Sequence, residues 1–220
     1  MWCIQWSPSK TEKTMDIREY ENKKTGLKLF ARGNTDCLEG ATLGVVGARA
    51  ADERLLRYGQ SMVEDACKIS GRTIVSGLAL GCDSAGHRGA LKTQTPTAAV
   101  LPCSIDKVRP VANASLAGAI LAAGGCMVSE YPVGEQFSNY MYIQRDAVIA
   151  RLSDALIVLG CDVESGTMHT VDAALELGRP IGCMMIEGLI TAGCSKLVEE
   201  GKAFAIAGRE DLGKFLENIA

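Results

Sequence analysis

The chain has 220 residues, 47% hydrophobic and 22% charged, with 24 glycines and 6 prolines, which is the balance of a globular domain and excludes collagen-like or disordered character. Its formal charge of −3 argues against a surface coated in nucleic acid or docked by charge on an anionic membrane. Its longest apolar runs, Ala114 to Ala123 and Ala155 to Gly160, fall short of the roughly 18–20 residues that cross a bilayer.

Residues 1–26, with Trp2, Trp6, Pro8 and a Lys/Glu-rich stretch, lack periodicity and read as an arm or weak helix outside the main core. From Leu43 a unit repeats: a short aliphatic run, then glycine, then a helical stretch. Strands are expected at 42–46, 73–76, 97–101, 127–129, 155–159 and 180–184, with a short one near 203–207. Helices are expected between them at 53–69, 84–92, 113–123, 140–152, 168–177 and 195–200, with 210–218 closing the chain. Strand and helix alternating at about 25-residue spacing is the pattern of βαβ units. The expected fold is α/β, a Rossmann-like doubly wound and mostly parallel sheet with helices on both faces.

Charge and cysteine narrow the chemistry. Residues 1–32 hold seven Lys/Arg against four Asp/Glu, and residues 151–220 hold six against eleven, so a polyanion site must be a local patch in the first two-thirds. Arg49 and Arg145 are its expected centre, with help from the 23–32 segment or from Lys107 and Arg109. Nine cysteines at 3, 37, 67, 82, 103, 126, 161, 183 and 194 form no CxxC pair, a poor zinc or disulfide framework. With no secretory leader in view they read as buried thiols of a reducing, cytoplasmic compartment, and neither metal nor cofactor is expected.

Ligands of such sheets sit at the carboxyl ends of the strands. The loops there are Gly47-Ala48-Arg49, Ser76 to Asp83, Ser129 to Gly134 and Gly160 to Thr167. Glycine between strand and helix lets the backbone approach a phosphate, and the helix start supplies free N–H donors. Tight βα turns would need the same glycines. Neither Gly-Lys-[Ser/Thr] nor a complete GxGxxG occurs, so standard nucleotide fingerprints are absent. Arg49 suits two-point phosphate contact, or a surface pair with Asp52 or Glu53. Phe137, Tyr140 and Tyr142 ahead of Arg145 suit base stacking, or ordinary packing. Asp83 and His87 can meet at i,i+4, as His169 and Asp172 can at i,i+3. No G-x-S-x-G elbow accompanies either pair.

The string Ser76-Gly-Leu-Ala-Leu-Gly-Cys-Asp-Ser-Ala-Gly-His-Arg-Gly-Ala-Leu91 resembles the signature of the DNA-processing protein A family, also called DprA or Smf. Leu29 to Asn34, Val45 to Arg49, Ser129 to Gly134, Ile149 to Ser153, Ser165 to Thr167 with Thr170, and Ala174 to Pro180 follow in family order. Gly193 to Ile219 resembles the family's closing segment, so the likeness spans about residues 27–220. It implies a domain that binds single-stranded DNA without strong sequence preference, protects it during natural transformation and helps load a RecA-type recombinase. It also implies a homodimer with no enzymatic activity. Residue by residue, it assigns DNA or phosphate contact to Gly47, Arg49, Ser76, Gly77, Leu78, Gly81, Asp83, His87, Arg145, Ser165, Gly166 and Thr167.

Two departures accompany the likeness. The family's Arg-Asn-Arg reads Arg145-Asp146-Ala147, losing a cation and gaining a carboxylate. The flanking helical and winged-helix domains have no counterpart, so a minimal Rossmann protein is expected. Related phosphoribohydrolases carry a catalytic glutamate where Thr170 stands, and a hydroxyl cannot do a carboxylate's acid/base work. A nucleotide-sensing module stays open, because loop donors meet a free phosphate and a backbone phosphate alike.

Overall fold

The aliphatic runs bounded by glycine pair into strands, and the structure, a computed structural model, describes residues 16–189 and 191–219. In chain order the strands are β1 (Ile17–Glu21), β2 (Lys28–Gly33), β3 (Thr42–Val46), β4 (Thr73–Ser76), β5 (Thr97–Val100), β6 (Cys126–Ser129), β7 (Leu156–Val158), β8 (Ile181–Met184) and β9 (Phe204–Ile206). They form one sheet in the order β1-β2-β6-β5-β4-β3-β7-β8-β9. Pairing from β6 through β9 is parallel throughout, while β1 and β2 form an antiparallel hairpin that joins β6 antiparallel.

The helices are α1 (Glu53–Ser70), α2 (Cys82–Lys92), α3 (Ala114–Ala122), α4 (Tyr140–Leu152), α5 (Thr167–Glu176), α6 (Ala192–Glu199) and α7 (Arg209–Glu217). α1 starts where the Asp52 carboxylate accepts from the N–H of Arg54 at 2.7 Å. It ends at Gly71, whose left-handed φ of 62° closes the last turn. Side-chain alternation along β3 sends Leu43 and Val45 into the core under α1 and α2, and Val46 into the core under α4 and α5. The doubly wound fold expected from the periodicity is therefore present.

One expectation is corrected. Residues 17–26 are neither arm nor weak helix, because Ile17–Glu21 pairs with Lys28–Gly33 along its whole length. Alternate residues Leu27, Leu29 and Ala31 enter the main core, so burial of that apolar set holds the hairpin on the sheet. Trp2, Trp6 and Pro8 lie outside the described residues.

The amino-end pole of the sheet is clasped by Asp154. Its carboxylate accepts from the Thr42 N–H at 2.8 Å and faces Lys24 at 2.9 Å and Arg72 at 3.5 Å. Arg72 also donates to the carbonyl of Ile219 at 2.7 Å. Burial opposes the charge on Asp154, but the Thr42 and Lys24 bonds outweigh it and hold the carboxyl below its usual range.

Candidate functional site

Strand order reverses between β3 and β7, where the departing loops part and leave a crevice. The cleft there has a volume of about 280 Å3 and is lined by Gly47, Arg49, Asp83, Arg145, Asp146 and the Ser165 to Thr167 turn, with Thr170 and Ile149 at its floor. Three of the four glycine loops thus converge. The fourth does not: Ser129 to Gly134 contributes no lining residue, since Ser129 Oγ donates to the carbonyl of Cys103 at 2.6 Å and turns that loop toward the 103–107 segment.

Arg145 stands at the centre, with 3% of its surface exposed. Its Nη1 lies 3.4 Å from Asp83 Oδ2 and its Nε 3.1 Å from Asp146 Oδ1. The Nε–H is not aligned on Asp146 or any other acceptor, so it remains a buried unbonded donor. Burial pushes the Asp146 carboxyl up to about 6; Arg145 pulls it down, Asp83 pushes it up, and Arg49 and His169 pull it down. The carboxylates of Asp83 and Asp146 beside Arg145 offset part of the positive charge that two arginines bring to the cleft.

Gly77 is fixed by that arginine. A Cβ at this position would coincide with Arg145 Nη1, so glycine is what lets the guanidinium reach Asp83. Gly81 has φ of 78°, and a Cβ there would run into the carbonyls of Ala48 and Arg49. A Cβ on Gly47 would lie 2.7 Å from Cys82 Sγ and 2.9 Å from the Gly160 carbonyl, so close packing of the β3 loop on α2 requires glycine there as well.

Several residues assigned to ligand contact are instead occupied inside the fold. Ser76 is fully buried and donates to the Val45 carbonyl at 2.6 Å. Leu78 is fully buried in a left-handed turn with φ of 60°, and Asn113 Nδ2 holds that turn by donating to the carbonyls of Leu78 and Ala79. Nothing in the local sequence pointed to Asn113. Asp83 accepts from the Ala79 N–H at 3.1 Å and does not bond His87. His87 is fully buried, with Nδ1 2.7 Å from Thr97 Oγ1; burial, then Arg145, push its imidazole down to about 3. Since Thr97 donates to the Ile74 carbonyl, His87 Nδ1 is the donor of that pair. His87 is thus a neutral core group.

The opposite wall is open. Gly166 is exposed, and a Cβ there would meet nothing within 4 Å. It precedes α5, whose first N–H groups have no side-chain cap, and Ser165 Oγ is buried without a hydrogen-bond partner. Across from it Arg49 is exposed and makes no ion pair among the described residues. Its guanidinium lies 4.5 Å from the centre of the Tyr142 ring, while Asp52 is engaged as the cap of α1. Tyr142 meets Phe137 edge-on at 5.7 Å, and Arg109 lies 4.2 Å over Phe137. The Met168 and His169 N–H groups close the first turn on the carbonyls of Ser165 and Gly166, and those of Gly166 and Thr167, with the exposed Arg49 and the nearby rings, are groups of the kind that can meet an anion or a planar ring.

A family model described as DNA recombination-mediator protein A matches residues 9–217. The chain is 32% identical over 190 residues to the DNA processing protein DprA of Streptococcus pneumoniae, covering 85% of this chain and 66% of that protein. It is 35% identical over 153 residues to the protein Smf of Escherichia coli, covering 70% and 41%. The chain therefore spans from about two-fifths to just under two-thirds of these relatives' length. Among solved structures, the X-ray structure of DprA from Streptococcus pneumoniae matches with a TM-score of 0.78 at 28% identity, over 92% of this chain and 75% of that one. The DNA processing protein A of Helicobacter pylori, whose structure concerns its single-stranded DNA binding mode, matches in fold with a TM-score of 0.82 at 24% identity, over 94% and 98%.

Proposed function

Because the chain belongs to the DNA recombination-mediator protein A family, we propose that its cleft holds the phosphate backbone of single-stranded DNA. The observation that carries this reading is the open wall: the Ser165 Oγ and Arg49, both without a polar side-chain partner among the described residues, and the uncapped start of α5 line one cleft. A phosphate there would accept from backbone N–H groups, a hydroxyl and a guanidinium, as helix starts and arginines commonly supply. Bases leaving that phosphate would lie over Tyr142 and Phe137, and stacking tolerates any base. A Helicobacter relative of the same fold has a described single-stranded DNA binding mode, which supports the polymer over a free nucleotide.

We read the role as binding without chemistry. The cleft carboxylates of Asp83 and Asp146 lie beside Arg145, and Thr170 lines the cleft at the position where the resembling phosphoribohydrolases carry their catalytic glutamate. Protection of incoming strands, hand-over to a RecA-type recombinase and homodimer formation complete the proposal. Among the described residues no helix is long and apolar enough to cross a membrane.

The test is a titration with labelled oligo-dT and with free nucleotides at two salt concentrations. Polymer preference is expected, with log K falling against log salt at a shallow slope of about −1.5 to −2, corresponding to two or three phosphate contacts. Preference for a mononucleotide would replace this reading with a sensor. Salt-independent affinity would remove the phosphate contacts from it.

A further inference from the structure

The cleft carries its own anion. Asp146 lies on α4 beside Arg145, 9% exposed, with Oδ1 3.1 Å from a guanidinium N–H that it does not bond. It lines the same crevice as Arg49 and the Ser165 to Thr167 turn. A carboxylate in that place competes with an incoming phosphate for the same cationic face, and repels it at close range where little water intervenes.

Resting on the single-stranded DNA reading above, we propose that Asp146 is an internal competitor for the phosphate, so that the strand binds tightly only when this carboxyl is protonated. The charged and titratable groups facing it are Arg145 on its own helix, Asp83 on α2, Arg49 after β3 and His169 on α5. Asp83 is already engaged by the Ala79 N–H and by Arg145. Asp146 has no backbone donor among its hydrogen bonds in the described residues, and burial pushes its carboxyl up to about 6. An added phosphate would raise it further, so binding takes up a proton near neutrality and affinity rises as pH falls. The site then distinguishes conditions as well as ligands: a strand is released when the carboxyl ionises.

The experiment measures oligo-dT affinity by fluorescence anisotropy between about pH 5.5 and 8, with circular dichroism confirming the fold at each pH. Wild-type protein is expected to bind about tenfold more tightly at the acidic end. Asp146→Asn keeps the size and a polar tip but cannot ionise, and is expected to bind at the alkaline end as tightly as wild type does in acid. An imidazole would give the same sign of dependence, so His169→Gln is measured beside it; it is expected to keep the acid-side gain with its midpoint moved slightly upward, because His169 pulls the Asp146 carboxyl down, and loss of the gain in this variant would overturn the assignment to Asp146. Calorimetry in two buffers of different ionisation enthalpy should register proton uptake for wild type and none for Asp146→Asn. If Asp146→Asn binds no more tightly in alkali and keeps the full dependence, the inference falls while the DNA reading stands. If neither protein binds oligo-dT at any pH, the DNA reading falls and takes this inference with it.

Discussion

The loop from Ser76 to Asp83 and the loop from Gly160 to Thr167 both follow a parallel strand and both lead into a helix, yet their polar groups end differently. In the first, Ser76, Asp83 and the carbonyls of Leu78 and Ala79 all have partners inside the fold. In the second, Ser165 Oγ has none and Gly166 faces open space. The first loop is a frame that holds Arg145, and the second leaves a buried hydroxyl unbonded among the described residues. The longest motif in the chain, from Ser76 to Leu91, thus builds the wall, and the short Ser165-Gly166-Thr167 turn is the part left open.

The sharpest way to break this contrast is to add one methyl group to each loop. Gly77→Ala should displace the Arg145 guanidinium and leave Asp83 and Asp146 uncompensated, at about 3–5 kcal/mol of stability. Urea denaturation reads this directly, and an unchanged midpoint would mean that the first loop is not a frame. Its counterpart Gly166→Ala should have the smallest effect on folding, because a Cβ there meets nothing within 4 Å.

Asp146→Asn tests the charge between the two walls. The folded carboxyl sits at about 6, against 3.8 for an ordinary aspartate. Between those values the native chain holds a proton that the unfolded chain has released, so this group's contribution to stability is full below about pH 4 and lost as pH rises through 6. Removing the carboxylate should raise stability at neutral pH, on the order of 1–3 kcal/mol, and change it little at pH 4. Equal gains at both pH values would assign the effect to packing instead.

Arg49→Ala should weaken oligo-dT binding by about tenfold or more, while costing under about 1 kcal/mol in folding because the guanidinium is exposed and, among the described residues, meets a ring and no carboxylate. A variant that unfolds readily yet binds normally when folded would place Arg49 in the frame. Gly166→Ala should leave the denaturation midpoint within about 0.5–1 kcal/mol of wild type, yet reduce affinity because its methyl group would stand where the phosphate approaches. Unchanged affinity would show that no ligand comes close to this turn.

The parallel strands and their helices were legible because aliphatic runs, glycines and amphipathic stretches recur at a steady interval. The β1-β2 hairpin was not, since the charged residues of Ile17–Glu21 hide a period-two pattern whose apolar partners, Leu27, Leu29 and Ala31, sit across a turn. At the site, the glycines and Arg49 could be found one loop at a time. Which polar groups were free could not, because Asp83 finds Arg145 62 residues away and Leu78 finds Asn113 35 residues away. For the same reason Gly77 looked like a phosphate loop residue when its neighbour is a guanidinium. The aspartate at 146 was visible as a departure from the family pattern, but its place against Arg145 in the cleft depended on the fold.

The Asp154 clasp has a consequence for how the molecule breathes. It ties the hairpin turn at Lys24, the first residue of β3 and, through Arg72, the carboxyl-terminal segment at Ile219 into one knot. Motions that part the strands must therefore begin at the other pole, where the loops enter the cleft. Amide hydrogens of Thr42 and its sheet neighbours should exchange only on global unfolding, and those of the 160–167 turn by local opening. The clasped end is thus tied across three segments of the chain, and the cleft end carries no such tie among the described residues.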